Sequence, residues 1–101
     1  MKVMEVHKSE KKLVAMAKVL KAVANQNRLR IVQLLLNEGE MTVNEICEKL
    51  ENCEQSLLSH HLAALKEAGV VCSRRDGRKI YYSPAKKEIE NLLNCLENCC
   101  D

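Results

Sequence analysis

Six cysteines in a chain of 101 residues are the first place to look for chemistry. Cys95 and Cys99 stand four positions apart in the sequence, which on a helix is one turn, with about 5–6 Å between Cβ atoms. Cys100 adjoins Cys99. Soft thiolates at this spacing suit a thiophilic ion, and a trivalent arsenic or antimony centre takes three sulfurs on one side. The same thiols can also act as redox groups or as small core residues. A second group is cationic: Arg74, Arg75, Arg78 and Lys79 crowd against Asp76, on a chain whose net charge is only +2. A local basic patch on a nearly neutral chain points to a polyanion partner at one place. Acids collect elsewhere, with six Glu against Lys49 alone over residues 38–54, and four acids without a base over 88–101.

The composition limits what can position these groups. A chain of 101 residues has room for one core, so residues 1–101 are expected to form a single domain, with 1–7 a loose patternless arm. Apolar residues are 47% and charged residues 30%, a globular balance. No run of about 18 uncharged apolar residues suggests a membrane span, and the start is too charged for a secretory signal. Cysteine stays below the ~8–10% of a disulfide scaffold, so cytoplasmic, reduced thiols are the expectation. With no Trp or Phe, and Tyr81 and Tyr82 the only other aromatics, the core must be aliphatic.

Apolar residues recur at three and four from Lys8 through Leu13, Met16, Leu20 and Val23, which predicts a helix with one buried stripe. Asn25–Asn27 interrupt it. A second helix, apolar nearly all round, runs through Leu29 and Leu36 to Gly39, a C-terminal cap. Thr42 with Glu45 is a capping box for a short third helix with Val43, Ile46, Cys47 and Leu50 inward. Asn52–Glu54 make a turn. A fourth helix, about Gln55 to Ala68, buries Leu58, His61, Leu62 and Leu65, and Gly69 caps it. The period then changes: Val70–Arg75 and Arg78–Ser83 read as strands joined by Asp76-Gly77, a hairpin signal. Ser83-Pro84 can cap and open a last helix, striped by Ile89, Leu92, Leu93, Leu96 and Cys99. The fold class is mainly α with a small β-hairpin wing, in the order ααααββα.

Two helices joined by a short turn and followed by a basic hairpin describe a winged helix-turn-helix. The fourth helix offers Gln55, Ser56, Ser59 and His60 opposite its apolar face, hydrogen-bonding groups suited to the major groove. The hairpin carries its cations near a tight tip, within reach of phosphates. Glu54 and the acidic run 38–54 count the other way, and leave open a winged-helix interaction module that does not bind DNA.

Three stretches in order resemble the ArsR/SmtB family of bacterial and archaeal repressors: Leu20 through Ile31, Gln55 through Leu62, and Lys66 through Val71 continuing to Arg74–Tyr82. The likeness covers about residues 13–100. It implies a homodimer built on the first and last helices, a reading head in each subunit, an inverted-repeat operator in double-stranded DNA, and repression relieved by a ligand. It places Gln55, Ser56, Leu57, Ser59 and His60 at base and nearby phosphate contacts, and Arg74, Arg75, Arg78 and Lys79 on the wing. His60 stands where many members carry Arg.

The family's metal sites can be compared in turn. A thiol run at the start of the third helix keeps only Cys47 here, at a small apolar position, and Cys53 takes a Leu position in the turn. Both are expected to pack. A site on the last helix reads Lys86, Glu88 and Cys99, and looks lost. Gln33 replaces a thiol on the second helix, and Cys72 falls on an outward strand position. Cys95, Cys99 and Cys100 remain as metal ligands, and the ending Glu97–Cys100 resembles the paired cysteines of an arsenite-sensing branch. No cofactor is expected, only arsenite, antimonite or another soft ion as inducer. Thiol redox sensing and plain packing of Cys99 stay open beside it. A thiol enzyme is disfavoured, because Cys95–Cys100 lack a nearby base.

Overall fold

The computed structural model describes residues 6–100. Of the expected arm, only Val6 and His7 fall within them, and they begin the first helix rather than precede it. The elements are α1 (Val6–Val23), α2 (Gln26–Glu38), β1 (Met41–Thr42), α3 (Val43–Lys49), α4 (Gln55–Glu67), β2 (Val71–Asp76), β3 (Lys79–Pro84) and α5 (Lys87–Cys99).

The caps explain the boundaries. Asn25 ends the break after α1 by accepting from the N–H groups of Asn27 and Arg28 at 2.9 and 3.2 Å. The Thr42 hydroxyl accepts from the Glu45 N–H while the Glu45 carboxylate accepts from the Thr42 N–H, the full capping box. At the end of α4, Gly69 takes φ 82. Its N–H donates to Lys66 O and that of Val70 to Leu65 O, a Schellman closure that turns the chain into β2.

Three features differ from the sequence reading. The sheet has three antiparallel strands, ordered β1-β3-β2, because Met41–Thr42 pairs with Tyr82 and Tyr81 of β3. A two-residue strand is too short to show alternation. The wing turn is shifted by one: Asp76 pairs with Lys79, leaving Gly77-Arg78 at the tip with Gly77 at φ 66, so the left-handed position falls first in the turn. Ser83 and Pro84 belong to β3, paired with Cys72 and Val71. Pro84 is tolerated at the last strand position, and α5 starts later, from Lys86 with no side-chain cap.

One core gathers Ile31, Val32 and Leu35 of α2, Ile46 of α3, Leu58, Leu62 and Leu65 of α4, Val70 and Val71 at the start of β2, and Ile89 and Leu93 of α5. α1 contributes Ala22 and Val23, whereas its Leu13, Met16 and Leu20 are 46–56% exposed. Only part of the stripes expected on α1 and α5 is therefore covered within one chain.

His61 is the buried polar residue of this core. Its Nδ1 accepts from Arg28 Nε at 3.0 Å, so the ring proton resides on Nε2, which has no partner among the described residues. Burial first, then the charges of Arg28 and His60, hold its pKa below the ordinary value. The unfolded chain therefore takes up this proton near the ordinary histidine pKa of about 6.5, before the folded chain does. Its contribution to stability is complete above that value and is lost as pH falls through the folded pKa. The urea midpoint should drop as pH falls below the ordinary histidine value of about 6.5, and His61→Gln should flatten that dependence whatever its own midpoint.

Candidate nucleic-acid interface

Burying one face of α4 decides what its other face can do. Leu58, His61, Leu62 and Leu65 point into the core, and Gln55, Ser56, Leu57, Ser59 and His60 are all exposed. Four of these offer hydrogen-bond donors or acceptors. Leu57, 46% exposed, offers the apolar contact that a thymine methyl takes in the major groove. All five residues expected at base and nearby phosphate contacts thus lie on the arc of α4 that its core-facing side leaves exposed. Two of them are already held: Gln55 Nε2 donates to Asn44 Oδ1 of α3, and the Ser56 hydroxyl donates to the Glu54 carboxylate at 3.0 Å.

The turn between α3 and α4 corrects the expected roles of Cys47 and Cys53. They are not free packing thiols but a disulfide, with Cα atoms 5.4 Å apart, inside the range such a bond needs. Leu50 leaves the helix in extended backbone and Asn52 turns at φ 54, which brings Cys53 back over the last turn of α3. Asn is among the few residues that enter this left-handed region readily.

The wing presents its cations unequally. Arg74 forms a two-pronged pair with Glu40, its Nε and NH2 donating at 2.6 and 2.7 Å, and its guanidinium lies 4.6 Å from the Tyr81 ring centroid. That hydrogen bonding holds the Glu40 carboxyl below, and the Arg74 group above, its ordinary pKa. Arg74 therefore fastens the wing to the α2–β1 connection through Glu40. Arg75 Nε donates to Gly77 O at 3.2 Å. Arg78 and Lys79 make no salt bridge among the described residues. Together with Thr42, Asn44, Gln55 and Tyr81, they line a cleft between the wing and the helix pair.

Several acids that seemed to oppose DNA are used internally: Glu38 pairs with Lys49, Glu40 with Arg74, and Glu45 caps α3. Sequence reasoning missed Glu40, Asn44 and Tyr81 as supports of this site. No local signal links Glu40 to Arg74, which lies 34 positions away.

Three of the four remaining thiols lie at the end of α5 and one on the wing. Cys95, Cys99 and Cys100 are free and exposed on the last turns of α5, and Cys72 is free on β2, its Sγ 3.3 Å from Ser83 Oγ. Among the described residues no three His, Cys, Asp or Glu side chains stand close enough to hold a metal ion. No described helix is long and apolar enough to cross a membrane.

An exposed polar helix face beside a cationic hairpin, both fixed on one core, defines a winged helix-turn-helix domain of the kind transcriptional regulators use. The family profile described as "Bacterial regulatory protein, arsR family" matches residues 25–73. The transcriptional activator HlyU of Vibrio cholerae is 35% identical over 96 residues, covering 95% of this chain and 84% of that protein. The cadmium resistance transcriptional regulatory protein CadC of Listeria innocua is 38% identical over 73 residues, and this chain spans only 60% of its length. Among solved structures, the homodimeric winged helix-turn-helix DNA-binding domain of a possible ArsR-family regulator from Mycobacterium bovis superposes with TM-score 0.84 at 31% identity, covering 99% of this chain and 91% of that one. HlyU of Vibrio cholerae superposes with TM-score 0.77 at 34% identity, covering 91% and 99%. The chain belongs to the arsR family of bacterial regulatory proteins. It is a winged-helix transcriptional regulator.

The unequal wing gives a direct test by salt titration on duplex DNA. Arg78→Ala should flatten the plot of log K against log salt by about one unit, the signature of one lost phosphate contact. Arg74→Ala should leave that slope nearly unchanged while lowering affinity through a loosened wing.

Proposed function

We propose that this chain is a homodimeric repressor that holds an inverted-repeat operator and releases it when a thiophilic metal or metalloid binds, arsenite first among them. The observation that carries the DNA-binding part is the exposed set Gln55, Ser56, Leu57, Ser59 and His60 beside Arg78 and Lys79, which make no salt bridge among the described residues. A helix of that composition can read base edges while the wing holds phosphates.

Dimerisation is supported by the apolar surface left open on α1 and α5. Leu13, Val14, Met16 and Leu20 are exposed with Leu96, and Ala15, Met16, Val19, Leu20 and Leu92 line a groove of wholly apolar surface. A contiguous apolar patch is what a monomer avoids and a twofold interface covers. The homodimeric relative from Mycobacterium bovis supports the same reading. Twofold symmetry would set the reading helices about 34–36 Å apart, one turn of the duplex. Sedimentation at micromolar concentration should show a dimer, and a monomer there would sink the proposal.

For the inducer, Cys95, Cys99 and Cys100 supply three soft ligands over the last one and a half turns of α5 and its cap, and a relative named for cadmium resistance supports a thiophilic ion. A regular helix turns Cys100 about 100° from Cys99, so three sulfurs meet one ion only if the helix end distorts. The end already tightens: the Cys100 N–H donates to Glu97 O, three residues back, at 3.2 Å. Distorting α5 at a dimer seam would reset the spacing of the two reading heads. The coupling between ion and DNA should be about 1–3 kcal/mol, a 5- to 150-fold loss of affinity. Cys99→Ser/Cys100→Ser should abolish the arsenite response, whereas Cys72→Ser should keep it. If the first variant still releases DNA with arsenite, these thiols are not the sensor. A different reading, control by thiol oxidation, is favoured by the Cys47–Cys53 bond.

A further inference from the structure

We infer that Cys47 and Cys53 form a reversible dithiol–disulfide modification site inside the helix-turn-helix, and that the disulfide form reads DNA more tightly than the dithiol form. The inference rests on the DNA-binding reading above, whose reading face it regulates.

The argument begins with how poorly the start of α4 is otherwise held. α2 and α3 both begin on a side-chain cap, Asn25 and Thr42. α4 begins on Glu54, whose side chain makes no cap hydrogen bond to the backbone and instead accepts from the Ser56 hydroxyl. The first-turn N–H groups of the reading helix are thus without the usual side-chain partner. The turn that leads into it is not packed solid either. A cavity of about 110 Å³ opens beneath it, lined by Cys53, Leu50, Leu57 and Leu58 on the turn side and Ile31 of α2 opposite. Leu50 and Cys53 pack against the core above this cavity, but no side chain caps α4, so the covalent link from Cys53 back to α3 fixes where α4 begins. Gln55 and Ser56, the first two residues of the reading face, follow Cys53 by two and three positions.

A purely structural staple is the competing role. The entropy a disulfide removes from the unfolded chain grows with the loop it closes, and a separation of six residues puts this bond at the short end. Its main effect is therefore local, on the turn. The disulfide state is also fully compatible with the winged fold, since the chain bearing it superposes on the Mycobacterium bovis domain with TM-score 0.84. Reduction therefore loosens a formed reading head, and oxidation does not break one.

The chemistry needs a low-molecular-weight disulfide such as oxidised glutathione. One protein thiolate attacks a sulfur of that disulfide, forming a mixed disulfide and releasing one small thiolate. The second protein thiolate then attacks the protein-side sulfur and releases the other. Two protein thiols are oxidised, one small disulfide is reduced to two thiols, and two protons leave the protein for them. Both cysteines are half-buried, Cys47 in the last turn of α3 and Cys53 in the turn that follows, and Cys72, Cys95, Cys99 and Cys100 stay unpaired within the chain.

The test uses the whole chain with Cys72, Cys95, Cys99 and Cys100 changed to Ser, so that only this pair titrates. The protein is equilibrated with reduced or oxidised glutathione, and its thiols are trapped by alkylation and weighed. Each form is then measured against a duplex enriched by the oxidised protein from a random pool, and against the unselected pool. Oxidised protein should bind the enriched duplex roughly five- to tenfold more tightly than reduced protein, the factor that one helix N-terminal cap is worth in an equilibrium. Cys47→Ser/Cys53→Ser should bind at the reduced level under both conditions. Equal affinities of the two forms overturn the inference, and so does trapping that finds both thiols free after oxidised glutathione. Failure to enrich any duplex overturns the DNA-binding reading separately. In that event amide exchange decides: faster exchange at Gln55–Ser59 on reduction supports the site, and unchanged exchange overturns it.

Discussion

The arrangement depends on the burial of one side of α4. Leu62 and Leu65 are completely buried and Leu58 nearly so, in one core with side chains from α1, α2, α3, the sheet and α5. Burying three leucines contributes several kcal/mol at about 1.5–3 kcal/mol each, more than any polar contact on the opposite face can oppose. The rotation of the helix about its axis is therefore decided inside, and the outward face follows at its fixed offset along the helix. Losing that packing would not remove a base contact directly. It would free the whole face to turn away.

The wing is tied to the same core by different means. Val70 and Val71 are buried where β2 begins, but the strands run out from there into solvent, with every residue from Arg74 to Ile80 exposed. A two-stranded ribbon is marginal by itself in water, and this one gains a third strand from Met41–Thr42 and an ion pair from Glu40 to Arg74. Both come from the same short connection between α2 and α3. That connection therefore positions the helix pair and the hairpin together, since Thr42 is at once a strand residue and the N-cap of α3. An exposed ion pair contributes little to global stability. Its geometric effect is to set the angle at which Arg78 and Lys79 leave the fold.

The thiols separate into two populations by the same logic. Cys47 and Cys53 lie where backbone turns bring them into bonding distance. Cys95, Cys99 and Cys100 lie on the exposed end of a helix whose inner face is satisfied by Ile89 and Leu93. The first pair lies on the approach to the exposed face of α4, whereas anything bound by the second group would act through α5 and the apolar surface beside α1. The two groups therefore sit on different parts of the fold, one at the start of α4 and the other at the end of α5.

By itself the sequence determined the five helices, the hairpin and the face of α4 turned outward, because each is written in local spacing. Apolar residues at three and four, an Asn or Thr at a helix start, and Gly69 and Gly77 where left-handed backbone is needed are all short-range constraints. Tertiary structure alone decided the rest. The third strand is two residues long and exists only because Tyr81 and Tyr82 lie alongside it. The pairing of Glu40 with Arg74 spans 34 positions, and removes from the free cations one that sequence counted among them. Cys47 and Cys53 looked like separate apolar positions on two elements, and only the left-handed turn at Asn52 brought their sulfurs together. Which part of the α1 and α5 stripes would stay uncovered was likewise hidden, because periodicity marks a face as apolar without saying whether the chain's own core is large enough to cover it.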